Sequence, residues 1–533
     1  MTALLHDLIL RSAECNPDSP ALTYKTDTLS YGALADTVMN VAGGLTAAGL
    51  ERQERVAVYL SKRPETVAAI FATTQAGGVF VPVNPILKAS QVVHILADCN
   101  VRILITTRDR FEALQIQLEH CRDLQAVVLL DAGTEHPEHA THLEILHWES
   151  LADCKSKPGR QKTIESDMAA IFYTSGSTGR PKGVVLSHQN MVVGAQSVAS
   201  YLDNQSNDRL LAVLPLSFDY GFSQLSTTFH TGANVTLMDY LFPRDVINAV
   251  ANGSITGLAG VPPLWIQLAK LPWPAEAIDS LRYITNSGGA MPKTTLEQLR
   301  STLTKTQVFL MYGLTEAFRS TYLDPEELDR RPESMGKAIP HAEVMVVHED
   351  GTPCAPGEPG ELVHRGPLVS LGYWNDEART AERFRQTPGQ LSGIKIQEIS
   401  VWSGDTVVED KEGFLTFVGR RDEMIKTSGY RVSPTEVEEA IYATGLIAEA
   451  VAIGVADTAI GQSITIIAVP IADSVATEEE TEEKLLAQCR QDLPNFMVPN
   501  RVVWRKELPR NANGKIDRNQ LRNDLQDAPQ DNC

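Results

Sequence analysis

Met168-Ala-Ala-Ile-Phe-Tyr-Thr-Ser-Gly-Ser-Thr-Gly-Arg-Pro-Lys-Gly183 is the stretch whose reading decides the fold. Its first six residues are an apolar run of the length and composition of a buried strand. The remainder, from Thr174, offers hydroxyls, bare backbone amides, an arginine and a lysine, with almost no apolar side chain. A buried strand emptying into such a loop presents N–H groups and cations to an anion, and a polyphosphate is the natural one. Glycine serves there because a backbone close to phosphate often needs positive φ and no Cβ. The order of residues departs from G-x-x-x-x-G-K-[ST], which disfavours a P-loop nucleotidase. On composition alone a flexible Gly/Ser surface loop is the competing reading.

Outward from this stretch the chain alternates. Residues 64–77 read as a helix and 79–83 as a strand; 101–106, 125–130, 210–214, 233–238, 281–285 and 307–311 read as further buried strands with helical segments between them. Such alternation predicts layered α/β sheets. Over 341–418 the strands crowd together, as in a small β-rich subdomain. A boundary is expected at Gly419-Arg-Arg-Asp-Glu423, dividing a large domain (1–419) from a small α+β domain (420–533). Just beyond it, Ser433-Pro434-Thr435-Glu436 predicts a helix start with a capping box.

A chain of 533 residues exceeds one ordinary core. A formal charge of −20 argues against nucleic-acid binding, so any nucleotide site must concentrate its positive charge locally. The seven cysteines are scattered without C-x-x-C or zinc-ligand spacing, which suits reduced thiols and predicts a cytoplasmic setting. Met1 to Arg11 reads as an amphipathic helix rather than a signal peptide, and no apolar run is long enough to span a membrane.

Further motifs follow in order: Ser287-Gly-Gly-Ala290, Met311-Tyr-Gly-Leu-Thr-Glu316, Trp402-Ser-Gly-Asp405, Gly419-Arg420, Ile425-Lys-Thr-Ser-Gly-Tyr-Arg431 and Leu508-Pro-Arg-Asn-Ala-Asn-Gly-Lys-Ile-Asp517. With the loop at 174–183 they resemble, over nearly the whole chain, the adenylate-forming (AMP-forming) ligase superfamily. That superfamily includes acyl-CoA synthetases, peptide-synthetase adenylation domains and luciferases. Within it the chain is most similar to the acyl-CoA ligase (AMP-forming) type named as exosortase A-associated.

The resemblance implies a two-step reaction. A carboxylic acid and ATP with Mg²⁺ give an acyl-adenylate; a thiol, CoA or the phosphopantetheine of a carrier protein, then displaces AMP. It implies that Thr174, Ser175, Gly176, Ser177, Thr178 and Lys182 cradle the phosphates, and that Ser287, Gly288, Gly289 and Ala290 form the adenine shelf. Tyr312 would stack on adenine, Thr315 bond the α-phosphate and Glu316 hold Mg²⁺, a hard cation suited to carboxylate. Asp405 and Arg420 would bind ribose, Asp422 would be the hinge, and Lys426 and Arg431 would serve the thioester-forming state. Lys515, after Gly514 on a mobile loop, would bridge the substrate carboxylate and ATP, a task for a point charge on a long stem.

One departure bears on the acid. Many acyl-CoA synthetases carry a histidine beside an aromatic where this chain has Phe218-Asp219-Tyr220. Amino-acid-activating relatives often place an ammonium-binding aspartate there. A buried aspartate facing an aliphatic chain is unfavourable unless paired. Either a neighbour neutralises Asp219, or it recognises an amino or hydroxy acid. Arg319 could pair with it or meet a second carboxylate on the substrate. Leu264, Trp265 and Phe318 read equally as pocket walls or core, and His188 as a helix start. The partners implied are a small carboxylic or amino acid and, for the amino-acid alternative, a carrier protein.

Overall fold

The computed structural model describes residues 4–131, 143–156, 162–174, 181–389, 393, 397–420, 423–427, 430–457, 460–471 and 477–527, the side chains of Lys426, Tyr430 and Arg431 excepted. It is an α/β protein with a large N-terminal domain of layered sheets and a smaller C-terminal domain. Among the described residues an eight-stranded sheet runs in the order Gly372–Tyr373, Lys182–Ser187, Met168–Thr174, Val79–Pro82, Arg55–Tyr59, Val101–Thr107, Ala126–Leu130, Glu144–His147. A second, fourteen-stranded sheet has a parallel centre built from Asn234–Leu237, Arg209–Ala212, Gly257–Gly260, Tyr283–Asn286 and Gln307–Tyr312.

Helices Pro64–Gln75 and Asp219–Thr231 pack into the core between these sheets and are buried on nearly every side. Their small and hydroxylic residues allow it: Thr73 donates to Ala69 O at 2.7 Å and Thr228 to Gln224 O at 2.6 Å, so these two hydroxyls need no water, while Thr227 Oγ1 is buried with no partner among the described residues. Phe71 stacks on Phe222 at 6.1 Å, and Phe222 meets Phe172 edge-on at 5.8 Å and Phe80 at 5.3 Å. Each such pair contributes about 1 kcal/mol beyond the area it buries. Lys62 ties the sheets together. Its ammonium, buried so that its pKa falls, donates at 2.8 Å to Val213 O and Met238 O and at 2.9 Å to Asp239.

The crowded strands expected over 341–418 are present as the antiparallel run Glu343–Val347, Pro359–Arg365, Ile399–Glu409 and Leu415–Arg420. They join the second sheet, because Thr321–Leu323 and Ser334–Ala338 pair in turn with Gln307–Tyr312 and Leu415–Arg420. The capping box is corrected. Helix Pro434–Ala443 begins after Ser433 as expected, but Ser433 makes no side-chain cap. Its hydroxyl lies toward Gly419 instead, 3.6 Å from where a Cβ there would stand. His188 does start a helix, His188–Tyr201, capped by Ser187 and Asn190.

A third sheet, of Ile425–Thr427, Tyr430–Val432, Gly461–Pro470, Ile447–Asp457 and Arg501–Trp504, forms the small domain with helices Pro434–Ala443, Glu478–Asp492 and Arg518–Asp527. Among the described residues no helix is long and apolar enough to cross a membrane.

Candidate active site

The phosphate-loop residues Ser175, Gly176, Ser177 and Thr178 lie outside the described residues; its two ends do not. Thr174 and Lys182 are register partners across an antiparallel pair of strands, so the loop closes a hairpin rather than entering a helix. Lys182 Nζ donates to Glu316 Oε1 at 2.8 Å and to the Tyr373 hydroxyl at 2.9 Å; that hydroxyl donates to the same Oε1 at 2.6 Å. Burial alone would raise the Glu316 pKa, but the ammonium and the two hydrogen bonds hold it at about 2. Glu316 is therefore a fixed anion with oxygen donors, which fits a hard divalent cation. Tyr373 went unread in the sequence; its signal is Gly372-Tyr-Trp-Asn375, an aromatic pair hydrogen-bonded to the loop's return strand.

At the end of Gln307–Tyr312 the Tyr312 hydroxyl donates to Asp405 Oδ2 at 2.5 Å. Arg420 Nε comes within 3.1 Å of Asp405 Oδ1, an ion-pair distance. The alignment is poor, however, and Oδ1 is buried with no hydrogen-bond partner among the described residues. An orphaned carboxylate oxygen beside a cation suits a sugar hydroxyl. Ser287 is buried at the end of Tyr283–Asn286, and Gly288 follows with φ +83°. A Cβ on Gly288 would stand 2.7 Å from Lys515 Cε, and one on Gly289 3.2 Å from Pro262 Cγ, so bulk at either would displace a neighbour.

Lys515 thus belongs to the small domain yet reaches the large one. Its Nζ lies 4.9 Å from the Phe218 ring centre. Burial lowers its pKa, opposed by the charge of Asp219 and reinforced by Arg420 and Arg319. The turn beneath it is self-supporting: Asn511 Oδ1 accepts from Lys515 N at 3.1 Å and from Asn513 N at 3.0 Å, with Gly514 at φ +78°. The Asn84 amide, buried at the end of Val79–Pro82, donates to Ala512 O and clamps this turn to the large domain. Sequence reasoning passed over Asn84, since an asparagine after a strand reads as an ordinary turn residue. Lys426 and Arg431 are register partners in the hairpin Ile425–Thr427/Tyr430–Val432, whereas Asp422 lies outside the described residues.

The acid region gathers Asp219, Tyr220, Thr315 and Arg319. Asp219 Oδ2 accepts from Arg319 Nη1 at 3.0 Å and Oδ1 from Thr315 Oγ1 at 3.0 Å. Tyr220 shares a 2.6 Å hydrogen bond with Thr285 and lays its ring 4.6 Å from the Arg319 guanidinium. Trp265 donates to Thr285 O at 3.2 Å and packs on Gly260, while Phe318 packs on Gly194. Those two, with Leu264, are buried core residues.

Asp219, Ser287, Tyr312, Thr315 and Arg319 lie at the carboxyl ends of the second sheet's parallel strands, and Lys515 reaches them from the small domain. The fold and site define an adenylate-forming enzyme. A family model described as AMP-binding enzyme matches residues 9–374, and its C-terminal domain model matches 436–515. The chain belongs to this family and is an AMP-forming acid–thiol ligase. It is 30% identical to the indoleacetate–CoA ligase of Aromatoleum aromaticum over 97% of both chains. It is 29% identical to an L-proline–[L-prolyl-carrier protein] ligase of Pseudomonas fluorescens over 97% of this chain and 98% of that one. Its fold matches o-succinylbenzoate coenzyme A synthetase of Bacillus subtilis, solved with ATP and magnesium ion, with TM-score 0.80, 26% identity and coverage of 98% of this chain and 99% of that one.

Proposed function

We propose that the protein activates a small carboxylic acid as its acyl-adenylate in one lid position and passes the acyl group to CoA in another, within a reducing cytoplasm. The observation that carries this reading is Lys515: a lysine of the small domain, clamped through Asn84, stands between Phe218, Gly288 and the charge of Asp219. An ATP α-phosphate and a carboxylate repel each other, and a preorganised cation between them removes most of that penalty.

In this reading Thr174 to Thr178 and Lys182 hold the phosphates, with Lys182 leaving Glu316 for them. Glu316 would hold Mg²⁺, which supplies charge neutralisation between phosphate oxygens. Asp405 Oδ1 and Arg420 take the ribose, Tyr312 and Ser287 to Ala290 enclose the base, and Thr315 faces the α-phosphate. Asp422 is the hinge between domains 1–419 and 420–533, and Lys426 and Arg431 act once the lid has turned.

CoA is favoured over a carrier protein by the state of Asp219. Both of its oxygens are engaged by Arg319 and Thr315, so it is not set to receive an ammonium group. The similarity to the indoleacetate and o-succinylbenzoate enzymes, both named for CoA, supports the same acceptor. The test is acid-dependent ATP–pyrophosphate exchange, then thioester formation with CoA against a phosphopantetheinylated carrier protein. Turnover with CoA at least about tenfold above the carrier supports the reading; the reverse supports the amino-acid alternative.

A further inference from the structure

We infer that the acid pocket selects a carboxylic acid bearing a neutral oxygen, a hydroxyl or carbonyl, near the reacting carboxylate; this deepens the adenylation reading above and rests on it. The observation is Arg319. It is only 2% exposed, yet its Nε and Nη2 have no hydrogen-bond partner among the described residues and are closed to water. Nη1 alone is engaged, by Asp219 Oδ2 at 3.0 Å and Phe318 O at 2.7 Å. A guanidinium carries five N–H donors, three of them on Nε and Nη2. The Tyr220 ring, 4.6 Å away, answers the face of the cation rather than those donors. Leaving a buried charged donor unmet costs several kcal/mol, so its persistence calls for an explanation.

The backbone points the same way. Phe318 sits at φ 56°, ψ −48°, with Arg319 N bonded to Ala317 O at 2.6 Å. This is a tight turn that a bulky residue adopts only under strain of about 1–3 kcal/mol. The strain returns Arg319 to Asp219. Asp219 in turn adjoins Phe218, the ring beneath Lys515. Arg319 thus stands one residue from the ring beneath Lys515, and an acid oxygen reaches its unmet donors by displacing the packing that now closes them to water.

Charge decides what meets them. Asp219 already balances Arg319, so a second carboxylate would bring an uncompensated anion into a buried site. An ammonium group would add a second cation beside Arg319, which Asp219 alone would have to balance. A plain hydrocarbon would leave the donors as they are. A neutral oxygen accepts from Arg319 without changing the charge count, and a hydroxyl can also donate to a remaining lone pair of Asp219.

The test is kcat/KM for ATP–pyrophosphate exchange by the full chain with matched acids. The probes are butanoate and phenylacetate, their hydroxy, oxo and amino derivatives next to the carboxylate, and succinate. A hydrogen bond to a charged group is worth about 1.5–3 kcal/mol, so the hydroxy or oxo acid is expected to exceed its parent by about tenfold or more. Arg319→Met is expected to bring that ratio within about twofold, and Arg319→Lys to retain part of it. Equal use of parent and oxygenated acid overturns the inference even if the variants fail to fold, as does preference for the amino acid or succinate. Exchange with no acid at all contradicts the adenylation reading itself, and the inference with it.

Discussion

Two aspartate–arginine pairs flank the parallel strands of the second sheet at opposite ends, and they are built to different standards. At the amino ends, Arg282 grips Asp208 with Nε at 3.2 Å and Nη2 at 2.7 Å, and its Nη1 takes Leu202 O at 2.9 Å. Asp208 also accepts from Gln205 N at 2.8 Å, Asn204 at 3.1 Å and Thr256 at 2.7 Å. Burial would raise the Asp208 pKa, but these donors bring it below the usual carboxylate value. At the carboxyl ends, Arg319 presents only Nη1 to Asp219, and its other nitrogens go unmet among the described residues. The first pair is complete and serves as architecture. The second is incomplete, and it stands at the edge where open α/β sheets bind ligands.

The largest expected effect in stability separates the two pairs directly. Replacing both members of the complete pair (Asp208→Asn with Arg282→Met) should lower unfolding free energy by about 3 kcal/mol, as followed by urea denaturation, because Gln205 N, Asn204, Thr256 and Leu202 O lose partners worth about 1 kcal/mol each, while adenylation per folded molecule is unchanged. The corresponding double variant Asp219→Asn with Arg319→Met should stay within about 1 kcal/mol of the parent or exceed it, because it removes donors that nothing satisfies. Similar losses from both would erase the distinction.

A neutral counterpart sharpens it. His6 and His188 stand edge to edge at 5.9 Å, and His188 Nδ1 accepts from Leu5 N at 3.0 Å. His6 Nδ1 and His188 Nε2 have no partner among the described residues. Burial lowers His6 from 6.5 to about 4, against the charge of Asp7, and lowers His188 to about 3, helped by His6. The unfolded chain takes up these protons near pH 6.5 and the folded chain only near 4 and 3, so stability should be full above 6.5 and fall as pH drops through that window. Stability is expected to fall between pH 7 and pH 4, and to fall less in a His6→Asn, His188→Asn variant. An unchanged acid profile in that variant would assign the loss elsewhere. The smallest effect concerns the clamp: Asn84→Ala forfeits the local bond that Oδ1 accepts from Ile86 N and, across the domains, the bond to Ala512 O, the latter worth about 1 kcal/mol, or about fivefold in pyrophosphate exchange, without slowing thioester formation from supplied adenylate. Equal slowing of both steps would deny the clamp a role specific to the first.

Much of this architecture is legible in the sequence because parallel strands buried on both faces read as continuous apolar runs. The strand 168–173 is visible in that way, whereas the roles expected of Lys182, Glu316, Asp405 and Lys515 rest on the resemblance of their motifs to a known family. The continuity of the crowded strands over 341–418 with the main sheet was not visible, since strand partners are fixed by long-range pairing rather than by local pattern. Tyr373 and Asn84 escaped for a related reason. Each acts on residues more than a hundred positions away, and neither looks unusual beside its own neighbours. Ser433 misled in the opposite direction: its local spacing fits a capping box, but its hydroxyl faces Gly419 from another strand. The Asp219–Arg319 relation could be posed from sequence as alternatives; only the geometry shows that the pairing uses one nitrogen of three.

The most direct trial of the whole account is Lys515→Ala, with the two half-reactions measured separately on the same preparation. Acid-dependent ATP–pyrophosphate exchange should fall by about a thousandfold or more, the scale of losing a preorganised charge at a reacting centre, while thioester formation from supplied acyl-adenylate stays near the parent rate. Equal losses in both steps, or exchange that survives the substitution, would contradict a lysine delivered by the lid to let carboxylate and phosphate meet.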